Sequence, residues 1–364
     1  MGKNIAFILS SLDAGGAQRV VCVLANKLVH NHNIVIIVFY RCPIFYDLDP
    51  RIKIVFCKPE YVHKKYRTII HSIFMHTQLI RKIKKQLKIN KTDIVIGFMT
   101  TASVYSIIAS KLLNIRCVIS ERVHPEYSSI NSFWIKIRRV FYPHAHMLVV
   151  QTQAIKNYFS GFIAEDKIVI IKNPLDQYLS DARAFDDIKE NIILNVGRLE
   201  HQKNQEMLIR AFANLNIKNW TLIIVGEGEK RKKLESLIEQ LNIKTQVILT
   251  GNVNNVYDFY NKSKIFAFTS RFEGFPNALT EAMHYGLACI STNCPSGPSD
   301  LIKNNENGIL IPVGDQEALE NGLKKLVNNP NLRSIYGQKA VEATNELDVE
   351  TITRKWLEIF KINN

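Results

Sequence analysis

Two cations in the second half of the chain are spaced so that both could bind one phosphorylated group. Arg198 and Lys203 lie five positions apart, between an apolar run that ends at Val196 and an amphipathic stretch. A guanidinium binds phosphate oxygens as a fork and an ammonium binds them as a point charge, so we expect the two to converge on a diphosphate. The alternative is a solvated loop with ordinary surface charges.

Two carboxylates, Glu273 and Glu281, flank a turn made of Gly274, Phe275 and Pro276 and the predicted start of a helix. Because the segment begins in a loop, the two carboxylates need not share a helix face. A carboxylate only accepts hydrogen bonds, so hydroxyl groups are its natural partners. One of the two could accept from a sugar and the other from the paired hydroxyls of a ribose. The alternative is a helix N-terminus with favourable acids in its first turns.

A pair of glycines, Gly15 and Gly16, follows the first apolar run and precedes a helical pattern that contains Arg19. Glycines let the backbone approach a phosphate, and a helix N-terminus offers free N–H groups. The spacing matches neither the G-x-G-x-x-G fingerprint nor a P-loop. A phosphate contact and a plain strand–helix turn both fit this segment.

A mixed cluster of Glu121, Arg122 and His124 follows an apolar run in the first half of the chain. An acid, a guanidinium and an imidazole at a strand end suit contact with a substrate. A structural role for the histidine is the alternative.

A basic amphipathic segment spans residues 64–88. Four of its cations fall at i, i+3, i+4 and i+7 and share one helix face, beside an apolar face. Such a helix can lie on an anionic membrane or bind a lipid diphosphate, and the alternative is a solvated face on an ordinary covering helix. The cations of the segment that we assign to this candidate surface are Lys64, Lys65, Arg67, Arg81, Lys84, Lys85 and Lys88.

The basic surplus lies entirely in the first half of the chain. The 364 residues carry 47 Lys and Arg against 33 Asp and Glu, a net charge of +14. Residues 1–180 hold 25 basic and 10 acidic residues, whereas residues 181–364 hold 22 and 23. We expect an anionic partner for the first half. Aromatic residues do not alternate with the cations of the basic segment, which disfavours nucleic acid.

Cysteine and hydropathy patterns favour an intracellular, non-spanning protein. The six cysteines form no Cys-x-x-Cys pair and no Cys/His zinc spacing, so we expect reduced thiols, mostly in or near cores. No apolar stretch reaches the roughly 18 residues of a membrane span. The N-terminus lacks the basic and apolar regions of a signal peptide.

Short β-branched runs alternate with helical patterns, which predicts parallel sheets covered on both faces. The pattern restarts after residues 173–190, so we predict Rossmann-like domains over residues 1–175 and 176–345 and an amphipathic segment over 346–364. Ligands of such sheets bind beyond the carboxyl ends of the strands, where each motif above lies. The predicted strands are residues 4–10, 33–39, 93–98, 117–120, 147–151, 191–196, 220–225, 246–250, 265–269 and 288–291.

As a set, these motifs resemble those of the retaining GT-B glycosyltransferases of family four. The resemblance runs from Ile5 to about Asn345. Within the family, the chain is similar to transferases that add N-acetylgalactosamine or a related hexose to a polyprenyl-diphosphate-linked oligosaccharide, as in Campylobacter N-glycan assembly. The residues that carry the resemblance are Gly15-Gly16-Ala17-Gln18-Arg19, Gly197-Arg198-Leu199, Lys203-Asn204, Gly226-Glu227-Gly228, Glu273-Gly274-Phe275-Pro276 and Glu281-Ala282.

The resemblance implies a GT-B fold, in which two Rossmann-like domains face each other across a cleft and a C-terminal helix crosses back to the first. It also implies roles for individual residues. Arg198 and Lys203 would hold the donor diphosphate, and Glu273 would face the donor sugar. The donor-binding positions would be Gly15, Gly16, Gly197, Asn204, Gly251, Val253, Gly274, Phe275, Pro276 and Glu281, and the acceptor or membrane positions would include Arg19, Glu121, Arg122 and His124 beside the basic segment.

The implied activity is retaining transfer of a hexose or N-acetylhexosamine from a nucleotide sugar, with no metal and no cofactor. The implied acceptor is a polyprenyl-diphosphate-linked glycan at the cytoplasmic face of the inner membrane, and no nucleic acid is expected. One departure is Arg122, because relatives often carry a histidine there that contacts the donor sugar. The alternative function is a non-catalytic protein of the same fold that binds a nucleotide sugar or a polyanion.

Overall fold

The computed structural model describes residues 2–58, 69–127, 130–175, 178, 182–183 and 189–361, with the backbone alone at 69–72. It divides into two compact units. Unit 1 comprises Met1–Pro174 and Val349–Asn364, and unit 2 comprises Leu175–Asp348. The chain therefore passes from one unit to the other twice, and its C-terminal helix belongs to the first unit.

Unit 1 is built on a parallel sheet of seven strands in the order β3-β2-β1-β4-β5-β6-β7. Helices follow most of the strands, as the alternating pattern predicts. The strands β1–β7 are Asn4–Leu9, Asn33–Tyr40, Lys53–Lys58, Ile94–Phe98, Arg116–Ser120, Met147–Val150 and Ile168–Ile170. The helices α1–α5 are Gly16–Leu28, Ile69–Ile89, Thr100–Lys111, Ser132–Phe141 and Gln153–Ser160, and the C-terminal helix, α12, is Val349–Lys361.

The central strands of unit 1 are buried on both faces, so they read as continuous apolar runs. Helix α2 covers the sheet with Leu79, Ile83 and Leu87. The C-terminal helix inserts Trp356, which is fully buried and stacks on Phe98 with 5.9 Å between ring centroids. Burial of so large an aromatic side chain fixes this helix to unit 1.

Unit 2 is built on a parallel sheet of six strands in the order β10-β9-β8-β11-β12-β13. Its strands β8–β13 are Glu190–Val196, Thr221–Val225, Val247–Gly251, Ser263–Phe268, Ala288–Thr292 and Ile309–Ile311. Its helices α6–α11 are Gln205–Leu215, Arg231–Gln240, Val256–Lys262, Asn277–His284, Gln316–Asn328 and Pro330–Thr344.

Both sheets reverse their strand order once, between β1 and β4 in unit 1 and between β8 and β11 in unit 2. The carboxyl ends of strands at such a reversal are where open α/β sheets bind ligands. In unit 2, the loops over residues 197–204 and 269–276 leave the two strands that flank the reversal. The prediction of two Rossmann-like units is confirmed.

Candidate active site

The least exposed ion pair among the described residues of unit 2 joins the 197–204 loop to the 269–276 loop. The Lys203 Nζ atom lies 2.6 Å from the Glu273 Oε1 atom, and the side chains are 18% and 8% exposed. The ammonium also lies 5.2 Å from the ring centroid of Phe268. Because the pair is largely shielded from water, each charge holds the other in place, and removing either one leaves a poorly solvated ion.

Arg198 has a different environment from Lys203. Its side chain is 71% exposed, and its Nη1 atom lies 2.8 Å from the Glu200 Oε1 atom. An exposed pair of this kind contributes about 0–1 kcal/mol to stability, so the guanidinium can exchange this carboxylate for another anion. The structure thus places the two predicted cations on different carboxylates.

Polar side chains fix the backbone of the 197–204 loop, and two of them, Gln202 and Gln205, were not singled out by the sequence analysis. The Gln205 Nε2 atom donates to the carbonyl of Arg198 over 3.0 Å, and the Gln202 Nε2 atom donates to the carbonyl of Phe272 over 2.9 Å. Asn204 has a φ of 53° and is buried, and its Oδ1 atom accepts from Arg271 Nη2 over 2.9 Å. The two loops therefore form one hydrogen-bonded platform.

The turn before helix α9 is held from behind by a second loop. The Ser296 Oγ atom donates to the carbonyl of Gly274 over 3.0 Å, and Phe275 is buried. Gly297 has a φ of 111°, and a Cβ atom there would lie 2.4 Å from Cδ of Pro276. Only glycine fits this position, because the backbone is left-handed and the nearest atom belongs to a rigid ring.

Glu281 lies in helix α9 and is 5% exposed. The Tyr260 hydroxyl donates to its Oε2 atom over 2.9 Å, and Tyr260 is fully buried. Tyr260 fixes the carboxylate, and sequence spacing gave no signal for it because the tyrosine comes from helix α8.

Glycines bring the ends of three neighbouring strands together. A Cβ atom on Gly226 would lie 2.2 Å from the carbonyl oxygen of Gly197, so that contact requires glycine. The Gly226 N–H donates to the carbonyl of Gly251 over 3.0 Å, and Gly251 has a φ of 75°. Val253 follows at a half-buried position. The predicted donor positions 197, 251 and 253 thus lie on linked strand ends.

In unit 1, the paired glycines lie at the start of helix α1. Gly15 exchanges hydrogen bonds with the Tyr46 hydroxyl, 3.3 Å from its nitrogen and 3.2 Å from its oxygen. Gly16 is exposed and begins the helix, and Arg19 is half-buried, with its N–H bound to the Gly15 carbonyl. No acidic residue stands in the first turn of this helix.

The Glu121 cluster lies inside unit 1. Glu121 is 1% exposed and accepts hydrogen bonds from Thr100 Oγ1 over 2.7 Å and from the Tyr142 hydroxyl. Burial raises the pKa of this carboxyl, although the nearby Arg138 opposes the shift. The structure therefore gives Glu121 internal hydrogen-bond partners.

Arg122 is 6% exposed and packs against the stacked rings of Phe98 and Trp356. Its guanidinium carbon lies 4.8 Å from the Phe98 centroid and 5.7 Å from that of Trp356. Its Nη1 atom donates to Asn173 Oδ1 over 2.7 Å, and burial lowers the pKa of the guanidinium to about 9. Arg122 thus connects the end of β5 to the last residues before unit 2 and to the C-terminal helix.

His124 is also buried, and its ring packs against Tyr127 and Tyr158. Burial lowers the pKa of the imidazole, so the ring is neutral near pH 7. These contacts are those of a packed aromatic side chain.

The basic face of helix α2 is present where the structure describes it. Leu79, Ile83 and Leu87 are buried. The four predicted cations of the helix lie opposite, three of them exposed and one half-buried, and three further predicted cations, Lys64, Lys65 and Arg67, lie outside the described residues. The four are Arg81, Lys84, Lys85 and Lys88.

The described residues contain neither a metal-binding cluster nor a membrane-spanning helix. No three His, Cys, Asp or Glu side chains within the described ranges are grouped as ligands for a metal ion. No helix in the same part of the chain has both the length and the apolar character of a membrane span.

Comparison with known proteins identifies the family. Residues 14–177 match the family Glycosyltransferase Family 4, and residues 177–343 match the family Glycosyl transferases group 1. A Campylobacter jejuni protein named GalNAc-alpha-(1->4)-GalNAc-alpha-(1->3)-diNAcBac-PP-undecaprenol alpha-1,4-N-acetyl-D-galactosaminyltransferase is 32% identical, over 98% of this chain and 98% of its own.

A second relative supports this assignment, and a solved structure shares the fold. A second Campylobacter jejuni protein, N-acetylgalactosamine-N,N'-diacetylbacillosaminyl-diphospho-undecaprenol 4-alpha-N-acetylgalactosaminyltransferase, is 30% identical over 97% of this chain and 98% of its own. The crystal structure of Anabaena HepE in complex with UDP shares the fold, with a TM-score of 0.81 at 18% identity over 98% of this chain and 99% of that one. The chain therefore belongs to the GT-B glycosyltransferases of group 1, and it is a glycosyltransferase.

Proposed function

We propose that this chain is a retaining transferase that moves a hexose or N-acetylhexosamine from a UDP-sugar, UDP-GalNAc being the first candidate, to a polyprenyl-diphosphate-linked glycan. The product would serve bacterial surface-polysaccharide, O-antigen or glycoprotein-glycan assembly. The observation that carries the proposal is the shielded pair of Lys203 and Glu273 at the strand reversal of unit 2. The names of the two Campylobacter relatives support the choice of sugar and acceptor.

In this proposal, Lys203 and Arg198 bind the donor diphosphate. The diphosphate gains negative charge as its bond to the sugar breaks, so cations placed beforehand stabilise the transition state more than the ground state. Glu281, positioned by Tyr260, accepts from the ribose hydroxyls, and Glu273 accepts from a sugar hydroxyl. The fixed cations supply the charge that a metal ion supplies in other transferases, and no cofactor is needed.

The proposed reaction proceeds on one face of the sugar. The bond between sugar C1 and the diphosphate oxygen breaks while a bond from C1 to the acceptor hydroxyl oxygen forms on the same face. The hydroxyl proton passes to the departing phosphate oxygen. The products are UDP and the glycan lengthened by one sugar. No enzyme carboxylate forms a covalent intermediate.

Unit 1 is proposed to bind the acceptor and the cytoplasmic face of the inner membrane. Helix α4 presents Phe133 and Val140, which are 58% and 61% exposed, beside the exposed cations Lys136 and Arg139. Apolar side chains flanked by cations suit the interface of an anionic bilayer. Together with the basic face of α2, they support the proposal that unit 1 binds both the acceptor's lipid diphosphate and the membrane.

The test is UDP release from a panel of nucleotide sugars, with and without a synthetic polyprenyl-diphosphate glycan, followed by determination of the product's anomeric configuration. We expect release to require the acceptor, to favour one UDP-sugar and to give an α-linked product from an α-linked donor. Inversion of configuration would contradict the retaining mechanism. Saturable donor binding without turnover across a broad acceptor panel would contradict the transferase proposal.

A further inference from the structure

A cavity of about 250 Å³ lies in unit 1 at the carboxyl ends of β1, β2 and β3. Ser10, Tyr40 and Lys58 line it at these strand ends, and helices α2, α3 and α4 close its sides. Apart from Leu79, a core residue of helix α2, the described residues that line it are not among the site residues discussed above. Its position matters because the carboxyl ends of parallel strands are where α/β sheets bind ligands.

Aromatic rings form one wall of the cavity and hold each other in place. Trp134 lies edge-on to Tyr105 and to His76, with centroid distances of 5.9 and 5.7 Å. Phe39 packs against Tyr105 at 5.2 Å, and His76 is hydrogen-bonded to the Tyr105 hydroxyl. Since Tyr105 is 2% exposed, this wall is anchored in the core and is formed before any ligand arrives.

Among the described lining residues, Lys58 is the cation that lies beside these rings. Its Nζ atom lies 3.4 Å from the Met75 carbonyl oxygen and 5.9 Å from the Tyr40 ring centroid, and within the described part of the chain it has no carboxylate partner. The neighbouring Lys82 donates instead to the Cys57 carbonyl over 2.7 Å. Burial, with a smaller contribution from Lys82, lowers the pKa of Lys58. An ammonium has three N–H donors, and the described residues offer that of Lys58 one oxygen, the Met75 carbonyl. The remaining donors are therefore left for an oxygen-rich ligand.

We propose that this cavity is a subsite for one pyranose ring of the acceptor glycan, an inference that rests on the proposed transferase function. A pyranose has a C–H face that packs on an aromatic ring and a rim of hydroxyls. The rings of Trp134 and Tyr40 can pack against the C–H face. The Lys58 ammonium and the hydroxyls of Ser10 and Thr101 can hydrogen-bond to the sugar hydroxyls. The cavity is smaller than the roughly 300–1,000 Å³ of drug-sized ligand sites, so it suits one ring of a longer glycan.

Direct binding tests the subsite without requiring turnover. Methyl α-N-acetylgalactosaminide is titrated into the full chain while tryptophan fluorescence is recorded. The other two tryptophans, Trp220 and Trp356, are buried in the cores, so Trp134 is the reporter that a sugar can reach. We expect a saturable change in the wild type, its loss in Trp134→Phe, and at least tenfold weaker binding in Lys58→Met. Lys53→Met, at the other end of the same strand, is the matched control and should bind as the wild type does.

Titration of other ligands tests whether the cavity binds a sugar, and turnover kinetics test whether that sugar belongs to the acceptor. A saturable response to inorganic phosphate or to a short prenyl alcohol, with none to the glycoside, would overturn the sugar assignment, as would an unchanged response in Trp134→Phe. In turnover assays, Lys58→Met should raise the KM for the acceptor at least tenfold and leave the KM for the donor unchanged, and the reverse pattern would overturn the assignment to the acceptor. Glycoside binding by a wild type that transfers no sugar would contradict the proposed function and leave the sugar site standing.

Discussion

The two units share a strand order but place their cations in different surroundings. In unit 2, Arg198 and Lys203 lie against Glu200 and Glu273 at the strand ends. In unit 1, Arg122 packs against two aromatic rings and donates to the side-chain amide oxygen of Asn173. At the strand ends, the two cations of unit 2 therefore pair with carboxylates, whereas Arg122 of unit 1 has no carboxylate among its described contacts. The same fold thus presents different side-chain environments at equivalent places.

This difference agrees with the charge of the two halves of the chain. Residues 181–364 are nearly neutral, so their cations can be held in position by carboxylates until a diphosphate replaces those partners. Residues 1–180 have 25 basic and 10 acidic residues, so the basic residues outnumber the acidic residues of the same half that could pair with them. This charge difference supports the proposal that the nucleotide binds unit 2 and the larger anionic acceptor binds unit 1.

The largest expected effect is on catalysis, from breaking the shielded pair in unit 2. Lys203→Ala and Glu273→Gln should each lower kcat/KM for acceptor-dependent UDP release by roughly 10²–10³-fold, the usual cost of losing one group that stabilises transition-state charge. Lys233→Ala removes an exposed ion pair with Glu206 in the same unit and is the matched control. Thermal unfolding of each variant separates this loss from loss of the fold, and activity within threefold of the wild type in folded Lys203→Ala would contradict the role.

The second effect is on stability, and it tests whether the loops of unit 2 are rigid. Gly297→Ala should lower the free energy of unfolding by about 2–4 kcal/mol, because its Cβ atom meets Pro276 and its φ is left-handed. Gly314→Ala is the control, since its φ is 81° but no atom lies within 4 Å, and about 1 kcal/mol is expected. Urea unfolding measures both, and equal losses would show that the Pro276 contact adapts.

The third effect concerns membrane binding, which we propose for unit 1 alone. The double variant Lys136→Gln, Arg139→Gln should bind vesicles with phosphatidylserine about 30-fold more weakly, because each cation near an anionic surface contributes about 1 kcal/mol. Lys324→Gln, Lys325→Gln removes two exposed cations from unit 2 and should have no effect. Co-sedimentation at low and high salt measures the binding, and equal losses in the two double variants would remove the distinction between the units.

The smallest effect sharpens the contrast between exposed and shielded pairs within unit 2. Glu200→Gln removes the partner of the exposed Arg198 and should change the free energy of unfolding by less than about 0.5 kcal/mol. The KM for the donor should stay equal or fall slightly, because the guanidinium no longer has to leave a carboxylate. A donor KM raised several-fold would show that Glu200 positions Arg198 for the diphosphate.

Most of the fold was predictable because the central strands of both sheets are continuous apolar runs. The strands missing from the prediction are β3, β7 and β13, and each is the edge strand of its sheet. Strand β3, Lys53–Lys58, begins and ends with lysine and is mostly half-buried, and β7 and β13 have three residues each. Short or partly exposed edge strands lack the hydrophobic signal that marks a central strand.

The charged residues of the candidate site were predictable, and their partners were not. Lys203 and Glu273 follow strands that are adjacent only in the folded sheet, so their 2.6 Å contact had no signal in spacing. Tyr260 and Ser296 position the 273–281 segment from other elements. Burial of Glu121 and Arg122 was also not predictable, because a charged pair after a strand is usually solvated.

The most direct test of the assignment of the nucleotide to unit 2 is calorimetric titration of UDP into the wild type, Lys203→Ala and Trp134→Phe. We expect Lys203→Ala to weaken UDP binding by roughly 10–100-fold, the range for a lost charge-assisted hydrogen bond. Trp134→Phe, in unit 1, should bind UDP as the wild type does. Unchanged affinity in Lys203→Ala together with weakened affinity in Trp134→Phe would place the nucleotide on unit 1 and contradict the account.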